Sequence, residues 1–245
     1  MTDTRRPRWS LVVPMYREST RIVAAVQALA ASKLSHPDIE LIFVDDGSDD
    51  STVDTLEAAC FHAHLSADIV RLPANRGKGA AVAAGVAHAK GAVIGFSDAD
   101  LSCPPDDIAR VFAAVDGGEA DVAIASRTDP DSSLPVRQPL FRRTSGSLFN
   151  VTLRLLGLTD LRDTQCGLKA FTDDAAHALF GALGTDGFAF DVEVLARARR
   201  SGLKVIEIPV VWRHVEASRV RPVADGTRMV VDAVRIRWRL RGSRR

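Results

Sequence analysis

The sequence predicts an α/β fold: a mostly parallel central sheet flanked by helices, closed by a C-terminal amphipathic helix. Three observations lead there. Short apolar runs alternate with stretches of helical spacing about a dozen residues long, the pattern of βαβ units. Polar clusters follow directly after several of the apolar runs. The chain has 245 residues, 46% hydrophobic and 26% charged, which is enough for one large core.

Each element has its own warrant. Ser10–Val13, an apolar run before Pro14, reads as a buried strand. In Glu18–Ala31 the spacing of Ile22, Val23, Val26 and Leu29 predicts a helix, and Glu40–Val44 is a second strand. A helix starts at Ser51 with Val53, Leu56 and Ala59 on its face and Asp49 or Ser51 as N-cap. Asp68–Leu72 is a third strand, Gly79–Ala89 a small-residue helix, and Ala92–Phe96 a fourth strand. Pro105 opens a helix to Val115, and Asp121–Ala125 is a fifth strand. Beyond it, Leu140–Leu156 looks helical and Asp163–Phe171 turn-rich. Asp191–Arg200 is helical, Val205–Ile208 and Val210–Trp212 are short strands, and Arg228–Leu240 is an amphipathic helix. No repeat or linker interrupts the chain, so residues 1–245 read as a single domain.

Net charge is +1, so there is no global basic field of the kind that nucleic-acid binders carry. Lysine supplies five of the 32 basic residues. Nine arginines fall between Arg219 and Arg245, against Asp225 and Asp232. Cys60, Cys103 and Cys166 are odd in number and far apart, which excludes a disulfide framework and fits a reducing cytoplasm. Neither a signal peptide nor a run of about 18 apolar residues occurs.

In parallel sheets ligands bind outside the carboxyl ends of the strands. Tyr16-Arg17-Glu18, Asp45–Ser48, Asn75–Gly79, Asp98–Asp100 and Ser126-Arg127 all fall at such ends. Asp98-Ala99-Asp100 is the sharpest. Two hard carboxylates at i and i+2 suit Mg²⁺ or Mn²⁺ bridging a diphosphate; the alternative is a solvated acidic turn capping the helix at Pro105. Asp45 and Asp46 can accept hydrogen bonds from a base or ribose, or simply cap a turn. Asn75–Gly79 fails both the P-loop and the dinucleotide fingerprint, yet offers Lys78 and backbone N–H groups near a helix start, an anion site or a plain turn. Asp163–Gly167 is polar where burial is expected, so its groups need an internal network or a ligand. The cysteines read as packed thiols.

Together the pieces V-P-M-Y-R-E (13–18), D-D-G-S (45–48), N-R-G-K-G (75–79), D-A-D (98–100), S-R (126–127), D-T-Q-C-G-L-K (163–169), F-D-V-E (190–193) and W…E-A-S-R (212, 216–219) resemble the inverting family 2 glycosyltransferases of GT-A fold. Within them the chain is most similar to the dolichyl-phosphate glucosyltransferases, with mannose synthases as near relatives. The resemblance divides the chain into a nucleotide-sugar half (about 8–127), an acceptor half (about 128–224) and a basic segment (225–245). It implies a nucleotide pocket of Pro14, Tyr16, Glu18, Asp45, Asp46 and Lys78, with Arg219 closing over the donor diphosphate. It implies a metal on Asp98 and Asp100, with Ser102 standing where mannose synthases use a Gln. It implies an acceptor-phosphate site of Arg127, Arg143 and Ser147, and Asp163 as a sugar contact or a base.

The reaction so implied moves a hexose from a nucleotide sugar, UDP-glucose foremost, onto a polyprenyl phosphate, with inversion. A phosphate acceptor is largely anionic at neutral pH and needs positioning more than a base. GDP-mannose as donor, a hydroxyl acceptor with Asp163 as base, and a nucleotide-sugar-binding protein without catalysis are the alternatives. Because the acceptor stays in the bilayer, the protein is expected as a peripheral protein at the inner, cytoplasmic membrane face, held by Arg228–Arg245 and by the apolar residues Met229, Val230, Ala233, Val234, Ile236, Trp238 and Leu240. A helix packed on the domain with a basic edge is the competing reading.

Overall fold

The computed structural model describes residues 6–128, 132, 149–212 and 222–242. The first half follows the expected alternation: β1 (Trp9–Met15), α1 (Ile22–Ala30), a 3-10 turn (Lys33–Ser35), β2 (Ile39–Asp45), α2 (Thr52–His62), β3 (Asp68–Arg71), α3 (Lys78–His88), β4 (Val93–Phe96), α4 (Pro105–Asp116) and β5 (Val122–Ser126). Then come helical residues 149–155, β6 (Lys169–Thr172), α5 (Asp173–Gly181), α6 (Phe190–Arg200), β7 (Val205–Pro209) and α7 (Pro222–Gly242).

The seven strands form one sheet in the order β3-β2-β1-β4-β6-β5-β7. All neighbours pair in parallel except β6, which runs antiparallel to both β4 and β5. Strands such as β1, buried along its whole length, are covered on both faces, which is why they read as continuous apolar runs rather than as alternations. One face carries α1, α2 and α4, with Leu11, Val13, Ile22, Leu56 and Phe112 in a common cluster. The other carries α3, α5 and α6, with Val12, Val82, Phe96, Phe171, Phe180 and Phe190. A third cluster lies under α7, where Ala233, Ile236 and Leu240 meet Leu153, Leu158, Ala189, Val192 and Ala196.

Several sequence expectations are corrected. Asp163–Phe171 ends not in a turn but in β6: a four-residue strand that begins with Lys169 shows no apolar run to read. The helix α5 was not foreseen; Thr172 caps it by accepting the Ala175 amide hydrogen bond. Ser51, one of the two expected residues, stands at the N-cap of α2, but its side chain makes no capping bond. Asp50 Oδ1 accepts both the Thr52 amide (3.1 Å) and its hydroxyl (2.5 Å). Val210–Trp212 makes a single bridge at Val211, whose amide is tied to Asp107 Oδ2 at 2.6 Å. The helix α7 begins at Pro222, ahead of Arg228, with proline in the position that lacks a helical partner for its N–H anyway. Of the stretch 140–156 only residues 149–156 lie among those described, and 149–155 are helical.

The centre of the sheet is tightly closed at Gly95. A Cβ there would lie 2.5 Å from the Lys169 carbonyl oxygen and 2.6 Å from Phe112 Cζ, so β6 and α4 both pack against bare backbone. Gly95→Ala is therefore expected to lower the unfolding free energy by about 2 kcal/mol through overpacking. Urea titration would read this as a lower midpoint at unchanged slope; an unshifted midpoint would show that the core yields there.

Candidate active site

The topology gathers the polar clusters. The ends of β1, β2, β4 and β5 share one edge of the sheet, and because β6 runs the other way its beginning lies at that same edge. Phe96 pairs with Lys169, which sets Ser97-Asp98 beside Cys166-Gly167. The approach is so close that a Cβ on Gly167 would stand 1.9 Å from Asp98 Oδ2. A side chain in place of Gly167 would displace the Asp98 carboxylate from that position.

The D-A-D segment is a constrained turn. The Leu101 amide donates to the Asp98 carbonyl at 3.0 Å, and Leu101 sits at φ 46°, a left-handed conformation unusual for a branched residue. Asp100 Oδ1 accepts the Ser102 amide (2.9 Å) and hydroxyl (2.8 Å). Ser102 thus orients Asp100 through both its amide and its hydroxyl, whose oxygen keeps its lone pairs. Lys78 Nζ lies 2.5 Å from Asp98 Oδ1. Burial alone would lower the lysine's pKa, but Asp98 and Asp191 outweigh it and hold the ammonium above its ordinary value. Among the described residues no three or more His, Cys, Asp or Glu side chains converge as a metal cage. Two carboxylates on a turn instead fit an Mg²⁺ or Mn²⁺ that completes its shell with phosphate oxygens and water.

The other donor-side residues are organised by their own hydrogen bonds. Pro14 is buried in β1, and Tyr16 follows it half-buried. Arg17 pairs with Asp49 at 2.5 Å and stacks 5.2 Å from the Tyr16 ring centroid. Glu18 is bound by Arg21 through two nitrogens, at 2.7 and 2.5 Å. Asp45 accepts the Ser48 amide and hydroxyl. Asp46 accepts Asn75 Nδ2 (2.8 Å) and the amides of Arg76 (2.9 Å) and Gly77 (2.8 Å). Burial pushes the Asp46 carboxyl up, against the pull of those two amides. Asp46, expected to meet a base or ribose, here holds the loop ahead of Lys78, and Asp45 the turn to Ser48. Gly77, at φ +117°, lets that loop pass the Asp186 carbonyl, which an added Cβ would meet at 2.6 Å.

Arg127 and Asp163 form the second centre. Asp163 Oδ2 accepts the Arg127 amide (2.9 Å) and Nε (2.7 Å); Oδ1 accepts Nη2 (2.9 Å) and the amides of Gln165 (3.2 Å) and Cys166 (3.1 Å). The guanidinium carbon lies 5.7 Å from the Trp212 ring centroid. Glu207 accepts the amides of Arg162 and Asp163, anchoring the same turn. Burial would raise the Asp163 carboxyl, but the charge and hydrogen bonds of Arg127 outweigh it and hold it below the usual range. A carboxylate with both oxygens so engaged is poorly suited to act as a base. Cys103 and Cys166 touch at 3.9 Å, and that contact together with burial pushes the Cys103 thiol far up, as a packed thiol requires. Arg143, Ser147 and Arg219 lie outside the described residues.

Sequence reasoning gave no role to Lys169 and Asp191, which form a buried ion pair at 2.6 Å behind the D-A-D turn. The signal was present: Lys169, one of five lysines in an arginine-rich chain, stands between Leu168 and Ala170-Phe171.

Asp163→Asn should leave the half-buried Arg127 without its buried counter-charge and cost about 1–3 kcal/mol at neutral pH. The Asp163 pKa is depressed below its ordinary 3.8, so its contribution is complete above that value and disappears as pH falls through the lower folded-state pKa. Chemical denaturation of both proteins across pH should show their difference large at pH 7 and vanishing in acid. A difference that grew in acid would contradict the pairing.

Residues 10–180 match the family Glycosyl transferase family 2. Dolichyl-phosphate beta-glucosyltransferase of Dictyostelium discoideum is 31% identical over 244 residues, covering 94% of this chain and 74% of that protein. The Saccharomyces cerevisiae enzyme of the same name is 31% identical over 245 residues, covering 93% and 73%. Among solved structures, glucosyl-3-phosphoglycerate synthase from Mycobacterium tuberculosis, in complex with Mn²⁺, UDP-glucose and phosphoglyceric acid, aligns with a TM-score of 0.73 at 18% identity, covering 94% of this chain and 79% of that one. This last likeness speaks for the fold, which is the GT-A architecture expected. With the family pattern matched over most of the chain and such relatives along nearly all of it, the protein belongs to glycosyltransferase family 2.

Proposed function

We propose that the protein transfers glucose, with inversion, from UDP-glucose to a polyprenyl phosphate at a membrane surface. The observation that carries this reading is the 31% identity over 94% of the chain to a dolichyl-phosphate beta-glucosyltransferase. The geometry agrees with a phosphate acceptor. A hydroxyl acceptor needs a general base, and Asp163, the carboxylate considered for that part, is occupied by Arg127. An anionic phosphate attacks without one, provided it is held in line and screened from the donor.

Asp98 and Asp100 would hold Mg²⁺ or Mn²⁺, which when bound supplies charge neutralisation for the leaving diphosphate. Lys78, fixed against Asp98, places a second cation at the same edge. The loop 75–77, held by Asp46 through the Arg76 and Gly77 amides, fixes the start of α3, the end of a helix where an anion is favoured. Arg127, held in plane by Asp163 and Trp212, is oriented to receive the acceptor phosphate, and Arg143 and Ser147 are assigned to the same group.

The helix α7 has two apolar faces. Ala233, Ile236 and Leu240, expected to face lipid, are buried against the domain. Val230, Val231, Val234 and Trp238 point outward, Trp238 with 75% of its surface exposed, among Arg228, Arg235, Arg237 and Arg241. A tryptophan-bearing apolar stripe with flanking arginines suits the headgroup region of an anionic membrane, reached on the cytoplasmic face. No helix of the described residues is long and apolar enough to cross a membrane.

Incubation with labelled UDP- and GDP-sugars and polyprenyl phosphate should yield a glucosyl lipid from UDP-glucose. Mannosyl lipid from GDP-mannose instead would replace the donor. Asp100→Asn should lower turnover on the order of 100-fold or more while leaving the melting temperature nearly unchanged; full turnover in excess EDTA would refute the metal. Trp238→Glu with Val234→Glu should abolish salt-sensitive co-sedimentation with anionic liposomes without unfolding the protein, whose core these side chains do not enter. Undiminished sedimentation would reject the outward stripe as the contact.

A further inference from the structure

Behind the D-A-D turn lies a buried charge cluster for which the reaction outlined above has no use. Lys169 is 0% and Asp191 4% exposed at their side chains, with Nζ and Oδ1 2.6 Å apart. Lys169 Nζ donates to the Cys166 carbonyl at 2.7 Å and faces Asp191 Oδ1 with its charge. Phe96 at the end of β4 links the pair to the site: Lys169 Nζ stands 5.4 Å and Lys78 Nζ 5.8 Å from its ring centroid. Lys78 also lies 5.8 Å from the ring of Phe190, the residue before Asp191.

Stability gives no reason for such a pair. Taking two charges out of water costs several kcal/mol per ion, and apolar residues of similar volume commonly do as well or better. Position gives a reason. The carbonyl that Lys169 holds belongs to the peptide joining Cys166 to Gly167, and Gly167 is the surface on which the Asp98 carboxylate rests. Lys78 in turn is attracted by Asp98 on one side and by Asp191 on the other. Removing Lys169 would free the Gly167 peptide; removing Asp191 would leave Lys78 with Asp98 as its principal counter-charge.

We propose that Lys169 and Asp191 are positioning residues that fix Asp98 and Lys78 in the geometry that binds a nucleoside diphosphate together with a divalent cation. This rests on the donor-site reading above and adds to it the pair that holds the site.

The test compares the wild type with Lys169→Met/Asp191→Leu, an apolar replacement of both partners, and with Asp191→Asn, which removes one charge at constant shape. Isothermal titration with UDP, with and without Mn²⁺, reads the site without turnover. Both variants are expected to melt cooperatively. The double variant should lose about 10–100-fold in Mn²⁺-dependent UDP affinity, the size of effect seen when the supports of metal ligands are removed, with its KM for polyprenyl phosphate within about twofold. Wild-type affinity in a folded double variant would overturn the positioning role. So would unfolding of both variants, which would make the pair a requirement of the fold. If the wild type itself showed no Mn²⁺-dependent UDP binding, the donor-site reading would fall, and this inference with it.

Discussion

Asp98 meets Gly167 because β6 enters the sheet against the direction of β4 and β5. In a purely parallel arrangement the segment ahead of that strand would lie at the opposite edge, a strand length away from the D-A-D turn. Reversal brings Asp163–Gly167 to the carboxyl edge, sets Cys166 against Cys103, and seats the Asp98 carboxylate in the space beside Gly167 that a Cβ would take. The rest of the site is arranged around that contact: Lys78 reaches Asp98 from the loop ahead of α3, and Arg127 reaches Asp163 from the end of β5.

The loops at this edge are held by buried or half-buried carboxylates that accept backbone N–H groups. Asp46 fixes 75–77, Asp163 fixes 165–166, Glu207 fixes 162–163 and Asp107 fixes Val211. Each gives irregular backbone the partners that a regular element would have supplied. The functional consequence is preorganisation. A fixed cation stabilises charge in proportion to how little it must move, and here Lys78 and Arg127 are both restrained by acidic partners.

The buried acid Glu193 extends this order to the C-terminal helix. It accepts the Thr185 hydroxyl at 2.6 Å and pairs with Arg197 and with Arg239 of α7. The neighbouring Asp186 carbonyl accepts the Ala80 amide at the start of α3. The helix that turns an apolar stripe outward is thus fastened, through residues 184–193, to the loop that carries Lys78.

How much of this was legible in the sequence differs from element to element. The five strands of the first half were legible because parallel strands covered on both faces must be apolar throughout, and local composition records that directly. The D-A-D turn was legible because two acids after an apolar run violate burial. The strand β6 and the helix α5 were not, since four residues beginning with lysine carry no period, and pairing direction is decided by partners far along the chain. The partners of Asp45, Asp46 and Asp163 within the protein were not either: a carboxylate facing a ligand and one facing a backbone amide are the same letter. The apolar residues of α7 announced an amphipathic helix, but two apolar faces at helical spacing look alike in sequence. Which face meets the domain was decided by Leu153, Leu158 and Val192, the residues that had to be covered. The sequence by itself thus determined the layered α/β fold and its polar edge, because burial is a local demand. Tertiary structure alone decided which charge faces which, because that depends on distances between residues that lie far apart in the chain.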